Sequence, residues 1–491
     1  MTKSLGPCHV ICAATSRCRV TLVFSPLVLA LVLAISMPLF LGCNGAKPPV
    51  NQESSSDSSS DSVADSVVVK PSGPAALDES PQGGKASGPD VESLPESDKA
   101  ELAIQPPTSK GWPNWMGPDH TGISRETGWS EQWPETGLRE AWALQIGIGF
   151  SSVSIVDGRL FTMGHIDGTE YVYALKAETG DEIWSHSYPS PLVDNLHEGG
   201  PGATPTVDGD FVYTLGKAGQ LYCFHAADGK IEWSKELQDD MDVPMPEWGF
   251  NGSPYILGDQ LILEAGRVVS YSKLSGDKNW ETERHSAGYG SAISFDWKGD
   301  TLIATLDCDG LRVVQAADGN QLDFYEWESP FRTNSTTPIV QDGLIYISSG
   351  YNVGCGLFRL DDNRRLVRIY SNSEMRNHFN NSILFDGHLY GFDGNSNLGR
   401  VVQLTCMNFT TGEVAWKSRG LGCGSLMIVS GKLLLLSDDG QLVLARATPD
   451  KYEEISRSDF LEGRCWTVPV LLDGRVYGRN AAGRLACVEL P

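Results

Sequence analysis

Residues able to do chemistry recur at one kind of position, just ahead of a series of short apolar runs. They are Phe150, Pro201, Phe250 and Asn251, Tyr289, Arg332 and Asn334, Arg376, Asn377, His378 and Phe379, Cys423, Arg464 and Trp466. Trp248 stands in the loop before Phe250. Aromatic rings, arginines, a histidine and asparagines converging on one opening would bind a polar or anionic small molecule, stacking on its faces and hydrogen bonding its edges. The structural alternative is that the aromatics plug a channel and the arginines neutralise neighbouring carboxylates. No residue qualifies as catalytic: phosphate-binding Gly-rich loops, His-Glu-x-x-His and Gly-x-Ser-x-Gly are all missing from the sequence. Asp307-Cys308-Asp309-Gly310 has a faintly calcium-like spacing, yet Asp and Gly belong at a hairpin in any case, so no metal site is expected.

These positions need a scaffold that brings distant segments to one rim. A short turn followed by a β-rich run recurs with its glycine at 158, 209, 258, 299, 343, 387, 431 and 474, and repeats of 41 to 51 residues mean a solenoid or a propeller. Asp-Gly between two such runs, as at Asp157-Gly158 and Asp386-Gly387, is a hairpin signal because Gly tolerates positive φ. A second marker lies between those turns: Gly180 before Trp184, Gly229 before Trp233, Gly276 before Trp280 and Gly412 before Trp416, each four residues apart. Each such Trp sits in a strand where its large ring can wedge against the next unit. Ala317-Asp318-Gly319 keeps the turn without the Trp, and the fifth and seventh repeats have lost the pattern.

Two hairpins per repeat make four antiparallel strands, which is one propeller blade. The expectation is an all-β, eight-bladed propeller over residues 139–491, with inner strands beginning near Ser151, Ala203, Gly252, Ser291, Thr336, Ser382, Ser425 and Thr467. The last repeat lacks an outer strand, and Arg139-Glu140-Ala141-Trp142-Ala143-Leu144 reads as an outer strand without a blade. The two should pair near residues 139–146 and close the ring, removing both exposed edges. The long insertions at residues 185–202, with His197 and Glu198, and 234–251, with Trp248, are contact loops or cover for the rim.

The Gly/Trp spacing resembles the tryptophan-docking repeat of pyrroloquinoline-quinone (PQQ) dehydrogenases and their cofactor-free, quinoprotein-like relatives, which include the propeller lipoprotein of the outer-membrane barrel-assembly machinery. The opening Gly111-Trp112-Pro113-Asn114-Trp115-Met116-Gly117-Pro118 also resembles exported PQQ-like repeat proteins of planctomycete-type bacteria, some labelled polyvinyl-alcohol dehydrogenases. The resemblance implies the propeller, and for an enzyme it would imply PQQ with Ca²⁺ in the central funnel. Against an enzyme stand the missing Cys-Cys pair that caps the quinone in alcohol dehydrogenases and the missing haem motif Cys-x-x-Cys-His. No cofactor is expected unless the chain is a dehydrogenase of that kind.

The ends and the charge set the compartment. Lys3, Arg17 and Arg19 precede an uncharged apolar run at residues 20–41, followed by Leu41-Gly42-Cys43. That order is a secretory signal with lipoprotein processing, so Cys43 is the expected lipidation site; an uncleaved anchor and ordinary cleavage are the alternatives. Residues 44–110 contain no Phe, Trp or Tyr and are dominated by Ser, Asp, Pro and Gly, the composition of a flexible tether. Residues 111–138 would dock on the propeller, with Trp112 and Trp115 as anchors.

The formal net charge is −24, which repels phosphate backbones and argues against nucleic-acid partners. Seven cysteines follow Cys43, an odd number, read as buried thiols with a bridge between Cys423 and Cys465 as the other possibility. Together these features predict a monomeric, exported propeller in the periplasm or cell envelope. It would meet the membrane through its N-terminus and bind an envelope protein or a small polar ligand, the dehydrogenase being the rival reading.

Overall fold

A computed structural model describes residues 111–491. The apolar run 20–41, Cys43 and the 44–110 segment lie outside the described residues.

The described chain forms eight four-stranded antiparallel blades around a central channel. In blade 1 the order from the channel outward is Ser154–Val156, Arg159–Ile166, Thr169–Lys176 and Glu182–Pro189, and each later blade repeats that order. The inner strands of seven blades begin one to three residues beyond the expected starts, because the residues just ahead of them are engaged by the adjacent blade. Arg139–Gln145 is the outer strand of blade 8, antiparallel to Arg484–Glu489 with Trp142 opposite Cys487. The first and last strands of the propeller thus cover each other's edges.

Every blade carries a register shift between its third and outer strands, at Ala174/Leu175 in blade 1 and at matching places through to Glu140/Trp142 in blade 8. Such a bulge adds local twist and turns the outer strand toward the next blade. There the Trp meets its neighbour. Trp142, Trp184, Trp233, Trp280 and Trp416 donate their indole N–H to the carbonyls of Ala177, Ala226, Lys273, Ala316 and Thr448, at 2.8 to 3.1 Å. Four of the five rings lie flat on a turn glycine of the next blade. A Cβ on Gly180, Gly229 or Gly276 would come within 2.9, 2.6 and 2.8 Å of that ring.

Other groups take over where the Trp is missing. Tyr370 in blade 5 covers Gly412 and donates its hydroxyl to Phe409 O at 2.8 Å. In blade 4, Asp323 accepts the Leu366 N–H at 2.6 Å and pairs with Arg365 at 3.0 Å. Over blade 7 lies the N-terminal segment, where Trp133 and Leu138 donate backbone N–H groups to Ser456 and Ser458. At the closure, fully buried Arg479 of blade 8 donates to Met163 O (2.5 Å), Gly147 O (2.8 Å) and Ser151 O (3.3 Å) on the blade 1 side, and burial lowers its pKa to about 9.

The N-terminal segment crosses the base of the channel. Gly111–Trp112 pairs with the inner strand of blade 1, and Ile123–Ser124 runs parallel to the inner strand of blade 7. Between them Pro113 O accepts Val207 N–H from blade 2, and the His120 ring sits 4.6 Å from Tyr255 of blade 3. Trp112 is 1% exposed and belongs to the core, with Gly117 packed on its ring. Trp115 is half-buried and faces the channel.

All seven described cysteines are separate buried thiols. Cys423 and Cys465 pack in different apolar clusters and form no bridge; burial pushes the Cys465 thiol up to about 12.

The Trp-on-Gly contact makes a paired expectation. Gly229→Ala, which sets a Cβ into Trp184 at φ +72°, should cost about 3 kcal/mol. Gly209→Ala, at φ +58° with open space around it, should cost only about 1 kcal/mol. Denaturant unfolding of the two variants measures the difference, and equal losses would mean that the indole contact is not what holds neighbouring blades together.

Candidate functional site

Inside the channel each blade is tied to the next by a short polar link. Ser152 N–H donates to Thr204 Oγ1, Thr204 N–H to Ser253 Oγ, Ser253 N–H to Ser291 Oγ, Ser291 N–H to Thr337 Oγ1 and Thr337 N–H to Asn381 Oδ1, all at 2.9 to 3.0 Å. Asn380 then donates to Gly424 O, Ser425 Oγ to Thr467 O, and Ser152 Oγ to Val468 O, at 2.7 to 2.9 Å. The circuit passes through all eight blades and returns to its start. Short polar side chains suit this place, since they satisfy buried backbone donors of a neighbouring sheet without filling the lumen.

Above this belt the channel widens into a cavity of about 770 Å³, with Trp115 of the crossing segment among its lining residues. A smaller cavity of about 170 Å³ lies around Met116, Asp119 and His120.

Rings make most of the wall. Phe150 stacks on Trp466 at 5.5 Å, Trp466 meets Phe379 at 4.6 Å, and Phe379 meets His378 at 5.0 Å. The arc continues through Tyr351 to Phe331, and His197 closes it behind Phe150. Trp248 and Tyr289 form a second group, edge to face at 5.7 Å. At the mouth Leu196 and Phe331 are 84% and 70% exposed and take left-handed backbone, φ 65° and 63°. That conformation costs a bulky residue about 1–2 kcal/mol and tends to persist where function needs it.

Of the expected ring, the lumen gathers Phe150, Trp248, Asn251, Tyr289, His378, Phe379 and Trp466. The rest are turned elsewhere. Phe250 is in the core against Gly219. Asn334 and Asn377 are buried ties: the Asn334 amide donates to Asp307 O and Trp327 O, and Asn377 donates to Phe392 O while accepting from Ser382.

The arginines answer carboxylates of this acidic protein. Arg376 grips Asp393 through two nitrogens at 2.7 and 2.9 Å, and Arg332 binds Asp309. Arg464 pairs with Glu198 at 2.6 Å and covers the Trp466 ring at 4.4 Å. Pro201 supplies a carbonyl to Phe150 and Ser151 N–H, and Cys423 is a core thiol. Asp307 behaves as a hairpin residue, accepting the N–H groups of Asp309 and Gly310 and bound by Arg312 Nε at 2.9 Å.

Several lining residues escaped the sequence reading, among them Phe331, Tyr351 and Lys217. Lys217 is 2% exposed, and its ammonium faces the lumen with one hydrogen bond, to Asn251 Oδ1 at 2.7 Å. Asn251 is oriented for this by donating to Trp248 O and Gly249 O. The neighbouring buried acid, Glu170, accepts instead from Tyr188 Oη, Ser190 Oγ and the Lys217 backbone N–H. Burial lowers the Lys217 pKa from 10.5 to about 8. Burial, with the charges of Lys217 and Arg464, holds His197 at about 4, and burial alone holds His378 at about 4, so both imidazoles are neutral at physiological pH. No spacing signal marks Lys217, which sits in the turn Gly216-Lys217-Ala218-Gly219.

Calcium does not fit these walls. The lining carries one carboxylate, Glu247, which is exposed and bonded to Asn195, whereas Ca²⁺ takes six to eight oxygen ligands. Among the described residues no three His, Cys, Asp or Glu side chains converge on a metal position.

Replacing Lys217 has a signed consequence. In the native protein its depressed pKa makes stability lowest below pH 8 and rising between pH 8 and 10.5, where only the unfolded chain still holds the proton. Lys217→Met should therefore unfold about 3 kcal/mol harder than the native protein near pH 7, with the gain shrinking to nothing above pH 10.5. Unfolding titrations across that range check it, and a variant less stable at pH 7 contradicts it.

A family model described as outer membrane protein assembly factor BamB matches residues 168–418, just over half of the chain. No curated protein matches it in sequence. Among solved structures, BamB from Moraxella catarrhalis aligns at TM-score 0.52 and 14% identity over 72% of this chain and 100% of its own. A quinohemoprotein alcohol dehydrogenase from Comamonas testosteroni aligns at 0.55 and 12% over 77% of this chain and 80% of its own. The computationally designed Ika8 protein aligns at 0.51 and 11%, over 72% and 99%. At such identities these likenesses establish the propeller fold alone. The family match, over more than half of the chain, establishes more: the chain belongs to the BamB-type family of PQQ-like repeat propellers.

Proposed function

We propose that this protein is an exported, membrane-tethered binding module of the cell envelope that holds a ligand or partner segment in its central funnel. The funnel carries the reading. A ring-walled cavity of about 770 Å³, bridged at its base by the protein's own N-terminal segment, has the size and lining of a binding site. Export and tethering rest on the signal-like run ending at Cys43 and on the 44–110 composition. The family match supports a protein partner, as an assembly factor has.

The dehydrogenase reading is weaker. The lumen offers too few oxygen ligands for the calcium ion that such a quinone needs.

Two measurements test the proposal. A photo-crosslinking phenylalanine analogue replacing Leu196 should capture an envelope component or ligand in cells, while the same group replacing Ile231, exposed on the outer strand of blade 2, should not. Cys43→Ser should move the protein from the membrane to the soluble fraction; retention would assign the anchor to residues 20–41. Dye reduction with alcohols in the presence of PQQ and Ca²⁺ would overturn the binding-module reading in favour of the enzyme.

A further inference from the structure

Lys217 sets a demand that the protein itself does not meet. Its ammonium has three N–H groups, spends one on Asn251 Oδ1, and makes no ion pair among the described residues. A buried cation without a hydrogen-bonded anion is costly, and the neighbouring Glu170, whose charge acts on Lys217 without an ion pair, spends its oxygens on other donors.

The hydroxyls lean the same way. Thr204, Ser253, Ser291 and Thr337 each accept one belt hydrogen bond, all four line the lumen, and none of their O–H groups has an acceptor among the described residues. The lumen therefore presents unspent donors, and its occupant must bring acceptors and one negative charge.

The rest of the lining limits what carries that charge. A phosphate would call for several cations or an arginine fork, and Arg332, Arg376 and Arg464 are committed to Asp309, Asp393 and Glu198. A small inorganic anion would leave the aromatic arc and the exposed Leu196 and Phe331 facing water. A carboxylate on an apolar body satisfies both parts, with two oxygens for Lys217 and the hydroxyls and a flat or hydrophobic remainder for the rings.

We propose that the funnel is a receptor for a carboxylate joined to an aromatic or apolar group, with Lys217 Nζ as the residue that takes the carboxylate. This deepens the proposed function and rests on the funnel being the binding site. The carboxylate could be that of a free aromatic acid or of a polypeptide C-terminus.

The test is calorimetric titration of the full-length protein with four probes: 3-phenylpropionate, 3-phenylpropionamide, the peptide glycyl-glycyl-phenylalanine and its C-terminal amide. Each acid should bind at least about tenfold more tightly than its amide, since a hydrogen-bonded charge is worth that much. Lys217→Met should lose about the same factor for the acids and leave the amides unchanged, while its melting temperature is not lowered. Tighter binding of the peptide acid identifies a chain end, and tighter binding of 3-phenylpropionate a small metabolite. The proposal is overturned if acid and amide bind alike, if Lys217→Met keeps the preference for acids, or if neither acid binds. Equal binding of acid and amide would still leave the funnel as a site, and the crosslinking at position 196 decides that question by itself.

Discussion

A propeller blade shares almost no backbone hydrogen bonds with the next blade, so everything depends on how one sheet is fastened to another. Here two fasteners work at opposite radii. Near the rim a Trp ring lies on a turn glycine and donates its N–H to the next blade. At the axis a hydroxyl or amide of one blade satisfies a backbone group of its neighbour, around the full circle. The apolar clusters between blades supply the bulk of the burial, as the hydrophobic effect requires, but they have no direction. The fasteners add the geometry, and a ring whose neighbours are held at both ends can keep an open axis.

That open axis is what makes a site possible. The polar belt lines the lumen with small side chains, and the pre-strand residues above it are free to be large. The result is a rigid wall of rings on loops, with functional groups carried by connecting segments while the sheets stay fixed. Local conflicts gather there. Lys217 is a buried cation with a neutral partner, and Leu196 and Phe331 hold unfavourable backbone with their apolar side chains in solvent. Each reduces stability, and their concentration at one mouth separates this end of the channel from the outer turns, whose left-handed positions are mostly Gly and Asp.

The periodic features of the molecule were readable because they arise from local rules. A glycine at positive φ and a Trp four residues later are short-range signals, so the blade count, the ring closure by residues 139–145 and the tryptophan docking all followed from spacing. Absences in the pattern were also readable, although not what replaces them. Tyr370 and the 133–138 stretch of the N-terminal segment stand in for missing tryptophans only because folding brings them to the vacant place. The funnel was half legible. Position along the repeat correctly brought Phe150, Trp248, Tyr289, His378 and Trp466 toward the axis, but it could not say which way each side chain turns.

From the sequence by itself came the repeat length, the strand order within a blade and the identity of several rim aromatics, because these depend on residues close together in the chain. Tertiary structure alone decided the chemistry of the lumen. Charge neutralisation is a competition among all groups within reach: Arg332, Arg376 and Arg464 paired with carboxylates and left the site, whereas Lys217 hydrogen bonds only an amide and stayed. Which cation remains unanswered depends on distances between blades that are far apart in sequence, and no local pattern encodes them.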